Sequence, residues 1–246
     1  MFFMQKSELL FIGATHGDEP NGVEVLKQLE AERSDFDWII GNEKAYEQGT
    51  RGFEGDLNRS APGSKNGTDY ASRRAAEIID TSQNYKYTID LHGSPKEVGN
   101  IIIMTKLTED NIKLATLFDI DRIVYWPAVS PELDGPLSEF FPCGFEIESG
   151  PKTDPVVQKE LQDKIRDFLD NYQEREKLDW REEIKKKKVF VVYGSLTSAI
   201  PVKLEEFQEV NVDGERFFPL LINSYLKRNG VVCYKMRQEE DVMTLI

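Results

Sequence analysis

Leu9-Leu10-Phe11-Ile12-Gly13-Ala14-Thr15-His16-Gly17-Asp18-Glu19 is a short apolar run that passes into a polar, glycine-containing turn. A short amphipathic stretch follows over 22–29, so strand, turn and helix succeed one another at the start of the chain. That succession predicts an α/β sheet with crossover helices. Working outward, strands are expected over 9–12, 38–40, 87–91, 101–104, 122–125 and 144–147. Between them, 69–79 puts Ala71, Ala75, Ile78 and Ile79 on one side of a helix. Asp154-Pro155 supplies an N-cap followed by proline at the first helical position, and predicts a helix through Val156, Leu161, Ile165 and Phe168 towards Tyr172.

Residues 173–188 are polar, and Lys185-Lys186-Lys187-Lys188 within them reads as a solvated linker rather than a phosphate-binding signal. A boundary is expected there, with a catalytic domain over 1–185 and a small C-terminal β domain over 186–246. In the latter, 189–193, 201–212 and 231–236 favour β structure, while Asp213-Gly214 and Asn229-Gly230 are hairpin-turn dipeptides. The fold class expected is α/β, a mixed sheet flanked by helices, with that β domain appended.

The charge balance narrows the function. In 246 residues, 44 acidic side chains face 31 basic ones for a net charge of -13, which opposes sequence-independent binding to nucleic acid or anionic lipid. Cys143 and Cys233 are too far apart for a metal knuckle and are expected as reduced, structural thiols. The apolar Met1-Phe2-Phe3-Met4 is interrupted by Gln5, Lys6, Ser7 and Glu8, so neither a signal-peptide core nor a membrane span is expected. The expectation is a soluble, cytoplasmic protein.

The chain has two histidines, His16 in the turn above and His92 in Ile89-Asp90-Leu91-His92-Gly93. The spacing of His16 and Glu19 lets imidazole and carboxylate converge on one ion if the segment turns into the helix, and His92 would arrive from another strand. Two imidazoles and a carboxylate leave a tetrahedral zinc one position for water, the arrangement of a hydrolytic rather than a structural site. The competing reading is two satisfied surface histidines. Arg51 and Arg59 lie in the irregular stretch Thr50-Arg51-Gly52-Phe53-Glu54-Gly55-Asp56-Leu57-Asn58-Arg59, where they could bind carboxylates or oxyanions or simply form surface salt bridges. Phe145-Glu146-Ile147-Glu148-Ser149-Gly150-Pro151 puts two glutamates on one face of an apolar strand, and at least one of them should line a cleft. Asp90 either orders the metal site or is a buried strand residue with backbone partners.

In order along the chain, Gly13-Ala14-Thr15-His16-Gly17-Asp18-Glu19, Thr50-Arg51 with Asp56-Leu57-Asn58-Arg59, Asp90-Leu91-His92, and Ile147-Glu148-Ser149-Gly150-Pro151 resemble the aspartoacylase and succinylglutamate desuccinylase branch of the zinc carboxypeptidase superfamily. The resemblance implies one zinc per chain, held by His16, Glu19 and His92. It implies Glu148 as general base and acid, and Arg51 as the group that polarises the scissile carbonyl. Asn58 and Arg59 would hold a substrate carboxylate, with Tyr225 from the C-terminal region as a further substrate contact. The implied activity is a zinc-dependent deacylase that hydrolyses the amide of a small anionic N-acyl amino acid through a metal-bound water. One departure concerns the substrate: the family's further arginine ahead of the catalytic glutamate has no counterpart in Pro136-Leu137-Ser138-Glu139-Phe140-Phe141, which leaves acetylaspartate open. A zinc carboxypeptidase acting on peptides and a non-catalytic metal-dependent binding protein are the alternatives. The sequence is compatible with a homo-oligomer and does not fix the acyl group, the amino acid or the native metal.

Overall fold

A computed structural model describes residues 7–127, 136–198 and 200–246, so the apolar Met1 to Met4 lies outside the described residues. Its strands are β1 (Leu9–Gly13), β2 (Asp37–Ile40), β3 (Tyr87–Gly93), β4 (Gly99–Met104), β5 (Arg122–Tyr125), β6 (Gly144–Gly150), β7 (Lys188–Leu196), β8 (Val210–Val212), β9 (Glu215–Leu220) and β10 (Cys233–Glu239). The helices are α1 (Asn21–Glu30), α2 (Glu43–Gln48), α3 (Tyr70–Ser82), α4 (Glu109–Thr116), α5 (Pro155–Arg175), α6 (Trp180–Ile184) and α7 (Leu226–Asn229). The chain divides into two units, Met1–His92 with Asp134–Glu146, and Gly93–Leu133 with Ile147–Ile246.

In the first unit the strand order is β2-β1-β3, followed by the start of β6. β1 runs parallel to both neighbours, with Phe11 opposite Trp38 on one side and Ile89 on the other. All five of its residues are buried, as a central parallel strand covered on both faces requires. Because β1 and β3 point the same way and Gly13 lies opposite Leu91, the residues that leave both strands emerge at one edge. α1 buries Val23, Val25, Leu26 and Leu29 along one face. The Asp69 side chain caps α3 by accepting from Ser72 N at 2.7 Å, and Ala75 and Ile78 of that helix pack with Leu10, Ile12, Leu57 and Leu137. Truncating a buried leucine such as Leu10 to alanine costs about 2–5 kcal/mol.

In the second unit the order is β6-β4-β5-β7-β10-β9-β8. β4, β5 and β7 are parallel, whereas β10, β9 and β8 add antiparallel, so the sheet is mixed, as expected. Residues 186–246, expected as a separate β domain, supply β7 to β10 of this unit. α5 begins at the expected Asp154 cap with Pro155 at its first position, and stacks Phe168 on Phe118 at 4.0 Å between ring centres. No helix among the described residues is long and apolar enough to cross a membrane. Cys143 and Cys233 are both buried, and burial pushes the Cys233 thiol up to about 12.

Three local expectations need correcting. The stretch 173–188 is not all linker: α5 runs on to Arg175, and α6 forms because Asp179 caps it and Trp180 and Ile184 are buried. Of 201–212 only Val210–Val212 is a strand; Pro201 has no N–H to donate, and Phe207 takes a positive φ of 60° that breaks extended structure. Asp213-Gly214 does turn a hairpin, with φ of 52° and 89° between the paired Val212 and Glu215. Asn229-Gly230 instead ends α7, where Gly230 at φ 78° donates its N–H to Leu226 O at 3.1 Å.

Candidate metal centre

The turn after β1 is shaped by three local facts. Ala14 takes a left-handed φ of 54°, which swings the chain out of the sheet immediately after Gly13. Glu19 N then donates to His16 O at 3.0 Å, closing a turn that puts the two side chains on one side. Gly17 lets the turn pass against α2: a Cβ there would meet Ala45 C at 2.1 Å and Tyr46 N at 2.3 Å. His92, near the end of β3, reaches the same edge of the sheet because β3 is parallel to β1.

The structure brings His16, Glu19 and His92 together, all buried, with donor atoms within 4.8 Å of one another. His16 Nδ1 is 3.1 Å from Glu19 Oε1, and His92 Nδ1 is 3.3 Å from Glu19 Oε2. The ring centres are 5.0 Å apart. His16 Nδ1 is buried and makes no hydrogen bond of acceptable angle, despite the nearby carboxylate. These nitrogen and oxygen donors match what zinc takes, so the residues fit the ion that the sequence implies.

The outer nitrogens face two aspartates. His16 Nε2 lies 3.2 Å from Asp56 Oδ1, and His92 Nε2 lies 3.0 Å from Asp90 Oδ2. Asp90 is wholly buried and accepts from Thr15 Oγ1 at 2.8 and 2.9 Å, so its partners are side chains of the site rather than backbone. Asp56 also accepts from Arg51 Nε at 3.1 Å and from Asn58 N at 3.1 Å. A carboxylate on the far nitrogen fixes the tautomer of a ligating imidazole and raises its basicity.

The electrostatics follow from this packing. Burial by itself depresses the His16 imidazole, but the charge of Glu19 and the hydrogen bond to Asp56 outweigh it and move His16 above its ordinary value. For His92 the opposing charges of Asp90 and Glu146 overcome burial, and the net shift is well upward. Burial would raise Glu19 and Asp56; the imidazoles hold Glu19 well below the usual carboxylate range, and His16 with Arg51 and Arg59 does the same to Asp56.

The other expected residues take the following places. Arg51 sits beside Glu19, with Nη1 at 3.5 Å from Glu19 Oε1. Asn58, 3% exposed, uses both ends of its amide within the first unit: Nδ2 donates to Glu146 Oε1 at 3.0 Å and Oδ1 accepts from Leu137 N at 2.8 Å. Arg59 Nη1 donates to Asn58 O at 3.0 Å, while its Nε is buried without a hydrogen bond. Glu148 is half-buried in the second unit, on the same face of β6 as Glu146 by strand alternation. Tyr225 is half-buried in that unit too, with its ring edge-on to Tyr234 at 5.6 Å. Sequence reasoning gave no role to Asp56, Thr15 or Ser138. The only signal for Asp56 is its place in the Asp-Leu-Asn-Arg tetrad.

A three-donor cluster at the carboxyl edge of parallel strands in an α/β fold is a candidate metal centre. Residues 5–174 match the family model of the succinylglutamate desuccinylase/aspartoacylase catalytic domain, and the chain belongs to that family, within the zinc carboxypeptidase-like superfamily. A probable aspartoacylase of Prochlorococcus marinus (strain MIT 9515) is 32% identical over 164 residues, covering 60% of this chain and 55% of the relative. One from Nostoc sp. is 30% identical over 191 residues, covering 68% and 65%. The chain thus spans little more than half the length of the first of these relatives. Among solved structures, murine aminoacylase 3 superposes with a TM-score of 0.72 at 15% identity, covering 96% of this chain and 97% of that one. The succinylglutamate desuccinylase from Chromobacterium violaceum gives 0.72 at 20% identity, covering 96% and 86%. These likenesses show a shared fold.

Proposed function

We propose that the chain is a zinc-dependent deacylase that hydrolyses the amide of a small N-acyl amino acid. The observation that carries this reading is the convergence of His16 Nδ1 and His92 Nδ1 on the two oxygens of Glu19, with an aspartate behind each ring. Zinc held by these three residues would acidify a water and polarise the scissile carbonyl. Glu148 takes a proton from the attacking water on its carboxylate and returns it to the leaving amine. Arg51, next to Glu19, donates to the oxygen on which charge develops. Arg59 has an unused buried donor in Nε and anchors the substrate carboxylate, in a subsite shared with Asn58. Asp56 keeps the His16 imidazole turned with its Nδ1 towards Glu19, and Asp90 stands 3.0 Å behind His92 Nε2.

Metal analysis of protein purified without chelator, combined with a screen of N-acyl amino acids and short peptides, tests the reading. Zinc near one per chain with release of free amino acid from N-acyl substrates is the expected result. Zinc without hydrolysis would make the chain a binding protein, and trimming of peptide C-termini would make it a carboxypeptidase. A metal content far below one per chain refutes the site.

A further inference from the structure

Glu146 is a buried carboxylate that the proposed reaction leaves without a task. It is 8% exposed, and its Oε1 accepts from Asn58 Nδ2 at 3.0 Å and from Ser138 Oγ at 3.3 Å. Its one ion-pair contact among the described residues, His92 Nε2 at 3.9 Å, falls on the same oxygen. Oε2 accepts no hydrogen bond from any described residue, and the side chain keeps 10% of its surface exposed. The stretch 127–141 that leads towards β6 contains no Lys or Arg.

A buried carboxylate is costly unless its charge is answered. His92 does not answer it: its Nε2 lies 3.0 Å from Asp90 Oδ2 but 3.9 Å from Glu146 Oε1, so Asp90 is the nearer carboxylate and Oε2 is left untouched. Among the described residues, no cationic donor therefore pairs with Oε2. On the other side of Asn58, Arg59 has the opposite deficit: Nη1 is tied to Asn58 O, while Nε has no acceptor. An unused donor of a cation and an unused acceptor of an anion flank one residue, and together they match a ligand that carries a carboxylate and an ammonium group.

We propose that Glu146 is a specificity-determining residue, accepting through Oε2 from an ammonium group of the substrate while Arg59 holds its carboxylate. The preferred substrates are then N-acyl derivatives of amino acids with a second amino group rather than of aspartate or glutamate, whose side-chain carboxylate would meet like charge at Glu146. This assignment rests on the deacylase reading.

The test compares kcat/KM of the zinc-loaded full chain on acetylated ornithine, lysine and diaminobutyrate with acetylaspartate and acetylglutamate. Calorimetry with free ornithine and free aspartate gives a second readout. Expected are a wild-type preference for the diamino substrates and tighter binding of ornithine than of aspartate. Glu146→Gln should lower the diamino-to-acidic ratio of kcat/KM by about 10- to 100-fold, the worth of one charge-assisted hydrogen bond. A wild-type preference for acidic substrates, or a variant that loses both classes alike, overturns the assignment. Absence of any hydrolysis sinks the deacylase reading separately, and calorimetry then decides on Glu146: ornithine binding that Glu146→Gln weakens supports it, equal binding overturns it. Two metal equivalents per chain, one lost in Glu146→Gln, would put an ion among Asp90, His92 and Glu146 and also overturn it. The wild-type measurements suffice if the variant does not fold.

Discussion

Gly17→Ala tests whether the His16–Glu19 turn is held in place by close approach to α2. A Cβ at position 17 would lie 2.1 Å from Ala45 C, 2.3 Å from Tyr46 N and 2.4 Å from Ala45 O, all backbone atoms. Ordinary contact begins near 3.4 Å, so one side must retreat by about 1.3 Å. α2 is the firmer side, because Ala45 N donates to the Asn42 side chain at 3.0 Å and Ala45 O accepts from Thr50 N at 3.0 Å. The turn should therefore give, and it carries both His16 and Glu19. Metal–ligand distances tolerate deviations of about 0.2 Å, so a displacement of that size removes two of the three proposed ligands from position. Zinc affinity should fall at least about 100-fold, or roughly 2.7 kcal/mol. Overpacking alone adds about 1–3 kcal/mol of destabilisation, which lowers the Tm of metal-free protein by about 2–12 °C. Competition with a chromogenic chelator gives the affinity, and melting with and without zinc separates the two effects. A Gly17→Ala protein with wild-type zinc affinity and an undiminished zinc-induced rise in Tm would refute the reasoning.

Two further predictions concern the same centre. Asp56→Asn and Asp90→Asn should each retain the fold yet weaken zinc by about 10- to 100-fold in the chelator assay, because each removes the carboxylate behind one imidazole; unchanged affinity would make both aspartates bystanders. The pH response should differ in sign between the metal-free and loaded forms. In the metal-free chain both imidazoles are shifted above their ordinary 6.5, so their stabilising protonation is fully present below the unfolded value and is lost as pH rises through the folded ones. Zinc must displace those protons, so its apparent affinity should climb through the same window. Metal-free protein that grows more stable between about pH 6 and 8 contradicts this.

The fold was most legible where one short pattern had one structural answer. β5 falls on the expected 122–125, and Asp154-Pro155 opens α5, because β-favouring residues and a capped proline admit few alternatives. Asn229-Gly230 misleads because the dipeptide reports only a tolerance for positive φ, which a hairpin and a helix C-cap use equally. β9 escaped notice since its exposed start, Glu215-Arg216, interrupts the apolar signal that Phe217 and Leu220 would give.

The centre divides along the same line, by sequence distance. His16 and Glu19 are three apart in one turn, and Asp90 and His92 alternate onto one face of β3, so each pair is a local pattern that a reader of sequence can weigh. Asp56 and His16 are 40 positions apart, and no periodicity relates them. What joins them is the irregular loop that returns from α2: Gly17 N donates to Arg51 O at 3.2 Å, Arg51 Nε donates to Asp56, and Asp56 caps the turn at Leu57–Arg59. The loop that carries the proposed carboxylate anchor and oxyanion donor therefore also orients a proposed metal ligand. Changes in it should alter metal affinity and substrate handling together, whereas changes at Asp90, fixed inside the sheet by Thr15, should act on the metal first.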